Sequence, residues 1–344
     1  MLSINNACAF RLLSLGEVML RLSPFNKERI AFSDSFSKMA GGSELNVAAG
    51  VASLGMRAGI ITKLPANEIG KFVKHKIRFN GVSDDYVVYD TSENKRLGIY
   101  YSEGGAYPRL PEVLYDRRGS SFTTLSLGEL REDMFSNTDI FHVSGITLSL
   151  GENIRSVAIE MLHRFKNAGA LISFDVNYRS SLWSEKAAKE VVRSVLPLVN
   201  ILFVSEETLH RMLGESGTLT EIQEKYADTY PHLKIIASTQ RRVKSARTHS
   251  FTSLVYDATE HRHYTEEPYE DIDVIDRIGS GDAYVAGALY GIIKDGTIES
   301  LVKYGNAMAA LKSTTQGDMC MCDLTDVERV IKNHVKNEGT EMIR

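Results

Sequence analysis

Apolar and polar stretches alternate in a regular order along most of the chain. Short apolar runs are followed by longer segments whose apolar residues recur at helical spacing. This pattern predicts strands at 10–18, 58–63, 140–143, 170–176, 201–204, 234–237 and 252–256. It predicts helices at 43–54, 68–79, 153–167, 185–196, 280–294, 298–314 and 324–336, and one more that begins at Ser205. Strands that alternate with helices indicate an α/β fold with a doubly wound, mostly parallel sheet.

One segment departs from this alternation. Residues 86–115 are rich in valine, tyrosine and isoleucine, and glycines and prolines interrupt them. Together with residues 20–36 they are expected to form short strands outside the main sheet. The sequence contains no repeat and no clear linker. We therefore predict a single domain over 1–344, with a small β lid formed by about 20–36 and 86–117.

The composition narrows the classes of ligand. Lys and Arg number 40 against 44 Asp and Glu, a formal net charge of −4. This balance gives no general attraction for nucleic acid or an anionic membrane, so a small-molecule ligand is favoured. No apolar run approaches the roughly 20 residues that span a bilayer, and the first residues lack the pattern of a signal peptide. Three cysteines suit a reducing compartment, and a cytoplasmic protein is expected.

The stretch 276–284 carries the clearest chemical signal. Gly279 and Gly281 flank Ser280, Asp282 follows at once, and a long apolar helix begins. Glycines allow backbone N–H groups to approach a ligand closely, and the start of a helix carries unpaired N–H groups and partial positive charge. The pattern predicts an anion cradle with a carboxylate in it. A base beside a transferring phosphoryl group explains this carboxylate; an ordinary acid at a helix start is the alternative.

This stretch resembles the C-terminal signature of the ribokinase-like (PfkB) sugar kinases. The segment 41–46, Gly-Gly-Ser-Glu-Leu-Asn, resembles their N-terminal glycine-rich signature. The resemblance covers nearly the whole chain. It implies a three-layer α/β/α fold with a β lid, and phosphorylation of a sugar hydroxyl by ATP with Mg²⁺. It also raises the expectation of a monovalent-cation site near Asp276.

The resemblance implies specific roles at 279–282. Asp282 is expected to be the catalytic base that takes a proton from the sugar hydroxyl. The backbone N–H groups of Gly279, Ser280 and Gly281 are expected to stabilise charge on the transferring phosphoryl oxygens.

Four shorter strings resemble the 2-keto-3-deoxygluconate kinases within this family: 16–17, 97–101, 115–121 and 175–179. The expected substrate is therefore a sugar acid, and the expected product is its 6-phosphate. Arg117 and Arg179 are the residues expected to bind the substrate carboxylate, because arginine meets a carboxylate with two parallel hydrogen bonds. Arg117 as a solvated lid residue and Arg179 as a helix cap or nucleotide contact remain alternatives.

Further substrate contacts follow from the same resemblance. Gly41, Gly42 and Asn46 match the floor of the sugar site, and Asp318 matches a late acid that contacts substrate. Tyr100 and Tyr115 are expected to stack on the sugar or to hydrogen-bond to it. The β-strand propensity of tyrosine explains these two residues equally well.

The nucleotide side departs from the family pattern. Asn177, Ser205, Thr239 and Gln240, with Gly279 and Gly281, are the expected nucleotide contacts. The usual Asn-x-x-Glu motif is replaced by Ser-Glu-Glu-Thr at 205–208, so Glu206 and Glu207 are only candidate metal ligands. A loop is expected at 238–245, and it contains none of the usual glycines.

Three other functions remain as alternatives. A kinase of a neutral sugar, such as a fructokinase or ribokinase, would use the same machinery. A sugar-binding regulator without turnover would explain the altered nucleotide segments, although the intact Asp282 argues against it. A dinucleotide-dependent oxidoreductase is disfavoured because no G-x-G-x-x-G follows the first strand. The exposed edge of the lid sheet predicts a homodimer formed through the lid.

Overall fold

A computed structural model describes residues 8–245 and 247–336. The strands, in chain order, are β1 (Phe10–Leu15), β2 (Met19–Pro24), β3 (Phe36–Gly41), β4 (Ala58–Pro65), β5 (Val87–Asp90), β6 (Ile99–Glu103), β7 (Glu112–Asp116), β8 (Thr138–Ser144), β9 (Leu171–Asp175), β10 (Ile201–Ser205), β11 (Ile235–Val243), β12 (Thr248–Asp257), β13 (Arg262–Thr265) and β14 (Tyr269–Asp273). The α-helices are α1 (Ser43–Ser53), α2 (Glu68–Phe79), α3 (Gly145–Ser149), α4 (Glu152–Asn167), α5 (Glu185–Val195), α6 (Glu206–Arg211), α7 (Leu219–Thr229), α8 (Ser280–Asp295), α9 (Ile298–Ser313) and α10 (Leu324–Lys336).

Most strands form one large sheet in the order β13-β12-β11-β10-β9-β8-β1-β4-β5, with β14 paired to β12. Neighbours from β11 through β5 are parallel, whereas β12 pairs antiparallel with β11, β13 and β14. Parallel strands are buried on both faces and therefore read as continuous apolar runs, as β1 does. The predicted doubly wound, mostly parallel α/β sheet is confirmed.

The two faces of this sheet carry separate cores. Side chains of β1 alternate, so that Leu12 packs with α1, α8 and α9, while Leu13 and Leu15 pack on the opposite face with α4, α5 and α7. Helices therefore cover both faces. The three-layer arrangement brings the starts of α1 and α8 to the carboxyl edge of the parallel strands, where doubly wound sheets place their ligands.

The lid is a separate four-stranded sheet in the order β3-β2-β6-β7. The pairs β2–β3 and β6–β7 are antiparallel, and β2–β6 is parallel. Residues 87–90, expected in the lid, instead form β5 in the large sheet, because the chain leaving α2 returns parallel to β4. At its other end β3 runs directly into Gly41 and Gly42 before α1. The lid is thus joined to the start of α1.

Two local expectations differ from the structure. Residues 238–245 were expected to form a loop, but β11 continues to Val243 and pairs with β12, so that Thr239 faces Ser253. The polar residues at the end of β11 are held in a strand by hydrogen bonds to β12, and these contacts cannot be read from the local sequence. The helix α7, which the sequence analysis did not predict, lies on the face that carries α4 and α5.

No helix among the residues that the structure describes is long and apolar enough to cross a membrane.

Candidate active site

A cavity of about 430 Å³ lies between the carboxyl edge of the large sheet and the lid. Its floor is formed by the starts of α1 and α8 and by the end of β9, and β6 and β7 of the lid form its opposite wall. The topology explains this location, because parallel strands end at one edge and the helices that follow them begin there.

Residues 279–282, here called the anion turn, open α8. Gly279 has φ 83° and begins the helix in the left-handed region that glycine favours. A Cβ atom at Gly279 would collide with the backbone of Asp318, whereas one at Gly281 would meet only open space. The turn is thus packed against the loop behind it and open toward the cavity.

The N–H groups of this turn differ in their availability. The Ser280 N–H donates to the Arg277 carbonyl at 3.2 Å. The N–H groups of Gly279 and Gly281 have no hydrogen-bond acceptor among the described residues. A helix start with free N–H groups beside a cavity can hold an anion. Gly279 and Gly281 therefore offer the donors predicted from the sequence, while the turn itself uses the donor of Ser280.

Asp282 lies at the floor of the cavity with its carboxylate buried. Ser43 Oγ donates to Asp282 Oδ1 at 2.7 Å, and Asn46 Nδ2 donates to Asp282 Oδ2 at 2.7 Å. Burial raises the pKa of Asp282 above the usual aspartate range, although both hydrogen bonds oppose this rise. The carboxylate is thus fixed in orientation and has an increased affinity for a proton.

The network around Asp282 extends to the end of β9. Asn177 Nδ2 donates to Ser43 Oγ at 2.8 Å, and the Asn177 N–H donates to Asp175 Oδ1 at 3.1 Å. Burial, and then the nearby Asp282 carboxylate, raises the pKa of Asp175 to about 7. Asn177, expected to contact the nucleotide, lines the cavity and donates to Ser43, which in turn donates to Asp282. Sequence reasoning missed Ser43 and Asp175, although both stand within the motifs that it singled out.

The tyrosines of the lid face the cavity. Tyr100 and Tyr115 stack with ring centroids 5.7 Å apart at an interplanar angle of 30°. The Tyr100 hydroxyl donates to Asp318 Oδ2. Burial and the Asp318 carboxylate raise the pKa of Tyr100, so its hydroxyl remains a donor. Gly41 lies against this pair, since a Cβ atom there would collide with Asp318 and approach the Tyr100 hydroxyl.

An ion-pair cluster joins the lid to the anion turn. Arg21 on β2 donates through Nη1 to Asp318 at 2.6 Å and through Nη2 to Asp276 at 2.8 Å. Burial opposes the charge on Arg21, but the Asp318 and Asp276 carboxylates more than offset it and raise the arginine pKa. Both oxygens of Asp318 therefore have protein donors. Arg21 was not predicted, because its partners stand 255 and 297 residues away along the chain.

The two predicted carboxylate-binding arginines line the same cavity in different states. Arg117 donates through Nε to Glu17 at 2.7 Å and also through Nη2 to the same carboxylate, which accepts from Ser120 as well. Arg179 is exposed, and its Nη1 donates to the Tyr178 carbonyl at 3.0 Å. Arg117 is held in place by a buried acid, whereas Arg179 is available to an incoming anion.

Two further arginines, Arg241 and Arg277, line the cavity. Burial, and then the charge of Arg277, lowers the pKa of Arg241, as expected of two cations placed close together. The Arg-Arg pair at 241–242 and the arginine inside the 276–284 motif were the signals available in the sequence. These side chains add positive charge on the side of the anion turn.

The remaining predicted nucleotide residues lie outside the described lining of the cavity. Ser205 Oγ accepts from the Thr208 N–H and caps α6. Thr239 is part of the β11–β12 ladder, and Gln240 Nε2 donates to Glu206 at 3.1 Å. Ser205 ends β10, whereas Thr239 and Gln240 lie within β11.

The candidate metal ligands are engaged by protein partners. Glu206 accepts from Gln240, and Glu207 pairs with Arg211 one helical turn away. Within 8–245 and 247–336, no three His, Cys, Asp or Glu side chains come together in a way that could hold a metal ion. These described residues therefore do not form a metal-binding site made of protein ligands alone.

Comparison of the sequence and fold with known proteins identifies the family of this chain. The sequence profile of the pfkB family carbohydrate kinases matches residues 9–323. A 2-dehydro-3-deoxygalactonokinase from Haloferax volcanii is 35% identical over 321 residues, which cover 93% of this chain and 96% of the relative. A 2-dehydro-3-deoxygluconokinase from Bacillus subtilis is 29% identical over 294 residues, with coverage of 83% and 84%.

A crystal structure of a 2-dehydro-3-deoxygluconokinase from Thermotoga maritima has the same fold. It aligns with a TM-score of 0.88 at 30% identity and covers 94% of this chain and 98% of that one. The predicted family and the predicted ribokinase-like fold with a lid are therefore confirmed. The chain belongs to the pfkB family of carbohydrate kinases and is a phosphotransferase.

Proposed function

We propose that this kinase transfers the terminal phosphoryl group of ATP to the primary hydroxyl of 2-keto-3-deoxygluconate, also named 2-dehydro-3-deoxygluconate. One observation carries the proposal: the buried carboxylate of Asp282 lies beside the free N–H groups of Gly279 and Gly281, in a cavity lined by arginines. Phosphoryl transfer needs alignment and charge stabilisation more than covalent help, and this arrangement offers both.

The proposed step assigns one task to each group. Asp282 takes the proton from the sugar hydroxyl while that oxygen forms a bond to the terminal phosphorus, and the bond from phosphorus to the departing ADP oxygen breaks. Ser43 and Asn46 keep the carboxylate pointed at the hydroxyl. The N–H groups of Gly279 and Gly281 donate hydrogen bonds to the oxygens of the phosphoryl group during its transfer and stabilise their negative charge.

The arginines support an acidic rather than a neutral sugar. Arg179 is exposed at the cavity, and Glu17 fixes the orientation of Arg117. Each charged hydrogen bond to a substrate carboxylate contributes about 1.5–3 kcal/mol. A neutral sugar such as fructose would leave this contribution unused, and a kinase of such a sugar is therefore the weaker alternative. A regulator without turnover is not supported, because the chain is a phosphotransferase of this family.

The galactonate epimer of the sugar acid is the second candidate substrate. It is favoured by the 35% identity to the 2-dehydro-3-deoxygalactonokinase of Haloferax volcanii. Both acids present the same carboxylate and the same primary hydroxyl. The arginines and Asp282 would therefore serve either acid, and the choice between them falls to contacts with the ring or chain hydroxyls.

ATP is proposed to bind along the carboxyl edge of the sheet with its terminal phosphate at the anion turn. Arg241 and Arg277 line the cavity and are suited to its phosphates. Ser205 at the end of β10, and Thr239 and Gln240 on the neighbouring strand β11, are the further nucleotide contacts in this proposal. Magnesium would neutralise phosphate charge and would arrive with the nucleotide, since Mg²⁺ in such sites keeps waters and phosphate oxygens as ligands.

The lid suggests how two chains would associate in the cytoplasm. Strand β7 is an edge strand that is exposed along its length, and such edges are usually covered. Leu114 on this strand is 52% exposed and alternates with Val113 and Tyr115, which line the cavity. We propose a homodimer that covers this edge. Free cysteines at positions 8, 320 and 322 are consistent with the proposed cytoplasmic location.

Replacing the proposed base should abolish turnover without abolishing binding. Asp282→Asn should lower kcat by about 10²–10⁴-fold, because it removes general-base catalysis. Sugar binding, measured by calorimetry, should persist. Glu68→Gln is the matched control, since Glu68 is an exposed first-turn acid of α2. Unchanged turnover in Asp282→Asn would contradict the assignment.

Removing the side chain of Arg179 should reduce the preference for sugar acids. Arg179→Ala should lower kcat/KM for 2-keto-3-deoxygluconate by about 10–10²-fold, since a charged hydrogen bond of about 1.5–3 kcal/mol is lost. The value for fructose should change little. Arg118→Ala, which removes an exposed neighbour of Arg117, is the control. A wild-type enzyme that phosphorylates fructose but neither sugar acid would refute the proposed substrate.

The pH profile should report the environment of Asp282. Its hydrogen bond from Ser43 stabilises the charged carboxylate and lowers its pKa. Ser43→Ala removes this donor, so the pKa of Asp282 should rise and the acid limb of kcat/KM should move to higher pH. Ser53→Ala, at the other end of α1, should leave the limb in place. A limb that stays fixed or moves to lower pH in Ser43→Ala contradicts the role of Asp282.

Sedimentation equilibrium should give a mass twice that of the 38.3 kDa chain. Leu114→Asp should shift the equilibrium toward monomer, because it places a charge on the proposed covered edge. Phe79→Asp, at a residue of α2 that is 72% exposed, is the control and should remain dimeric. A wild-type protein that stays monomeric at high concentration removes the proposed dimer.

A further inference from the structure

Lys312 on α9 is a charged side chain in an unusual setting. It is 0% exposed. Its ammonium donates to the Asp276 carbonyl at 3.0 Å and to the Thr315 carbonyl at 3.1 Å. Among the described residues no carboxylate lies within ion-pair distance of it. Because lysine is rarely buried completely, and then usually with a paired carboxylate, two backbone carbonyls as its main partners require an explanation.

The two carbonyls belong to segments that shape the active site. Asp276 precedes the anion turn, and its carboxylate accepts from the N–H groups of Ile278 at 3.0 Å and Gly317 at 3.2 Å. Thr315 begins the loop that leads to Asp318. The backbone of Asp318 lies directly against Gly279. The ammonium therefore joins the segment that enters the anion turn to the loop that supports it from behind.

The charges around Lys312 are balanced. Burial lowers the pKa of Lys312, and the carboxylates of Asp276 and Asp318, which Arg21 binds, oppose this lowering. Two cations and two carboxylates thus occupy one partly buried cluster, with Arg21 on the lid side and Lys312 on the helix side. Removing Lys312 would leave two inward-pointing carbonyls and an excess of negative charge next to an anion site.

Inward-pointing backbone carbonyls are also the groups that bind alkali cations, because they replace the hydration shell of the ion. A lysine ammonium carries the same single positive charge as an alkali cation, and it donates hydrogen bonds to carbonyl oxygens that would coordinate such a cation. The resemblance to the PfkB sugar kinases implied a monovalent-cation site near Asp276. In the structure the position between the Asp276 and Thr315 carbonyls holds the Lys312 ammonium instead.

We propose that Lys312 is a positioning residue whose ammonium acts as a built-in cation behind the anion turn, so that this kinase turns over without an added alkali cation. The ammonium fixes the separation of the Asp276 and Thr315 carbonyls and thereby the place of Gly279 opposite Asp318. It acts through these backbone contacts and does not touch the reacting atoms.

The first test uses the wild-type protein. ADP formation is measured directly, because the alkali requirement of a coupling enzyme would confound the result. All components are tetramethylammonium or Tris salts, and KCl or NaCl then replaces tetramethylammonium chloride at constant ionic strength. The expected kcat and KM for ATP are the same in every salt. A several-fold activation by K⁺ or Na⁺ would overturn the proposal, and this arm needs no variant.

The second test removes the ammonium. Lys312→Ala should lower kcat by about 10²-fold, the cost of a small misplacement at a catalytic centre. Added K⁺ or NH₄⁺ should restore a measurable part of the loss, which a merely structural role would not produce. Lys303→Ala, at an exposed lysine of the same helix, should be unchanged and insensitive to cations. A folded Lys312→Ala protein with unchanged kcat, or with a loss that no cation relieves, would contradict the positioning role.

The inference rests on turnover at the proposed site, but not on the identity of the sugar. If neither sugar acid is a substrate, the same salt series is run with the sugar that the wild-type protein does phosphorylate. Failure of the proposed substrate is then seen as a change of preferred sugar. Failure of the role of Lys312 is seen as cation activation with that preferred sugar, so the two failures are distinct.

Discussion

The burial of the Asp282 carboxylate is the constraint on which the active site depends. A buried carboxylate is costly unless donors surround it, and here Ser43 and Asn46 of α1 supply them. The starts of two helices that are far apart in sequence are thereby tied together. The same burial that demands these donors raises the pKa of Asp282, so the stabilising network and the proposed basicity have one origin.

Ion pairs also connect the lid to the carboxyl edge of the large sheet. Arg21 reaches from β2 to Asp276 and Asp318, and Tyr100 completes the coordination of Asp318. The substrate wall is therefore bonded to the segments that flank the anion turn. Breaking such a pair by removing one partner leaves a buried charge uncompensated, which is far more costly than never having formed the pair. These contacts therefore join the lid directly to the segments on either side of the anion turn.

Local signals in the sequence predicted most of the fold, including the helix that begins at Ser280. The bounds of α2 agree with the prediction because an amphipathic pattern follows the capping residue Asn67. The helix α7 was missed although Thr218 and Glu221 form a capping box before it. The strand β11 was ended too early because its polar end is stabilised by pairing with β12. Contacts such as that of Arg21 with Asp318 join positions that are far apart in the sequence, so no local sequence pattern predicts them.

A structure of the protein with a non-hydrolysable ATP analogue and 2-keto-3-deoxygluconate tests the central claim most directly. The terminal phosphate should accept hydrogen bonds from the N–H groups of Gly279 and Gly281, with the primary hydroxyl of the sugar beside Asp282. Phosphates bound away from the start of α8, or a sugar whose primary hydroxyl faces away from Asp282, would contradict it.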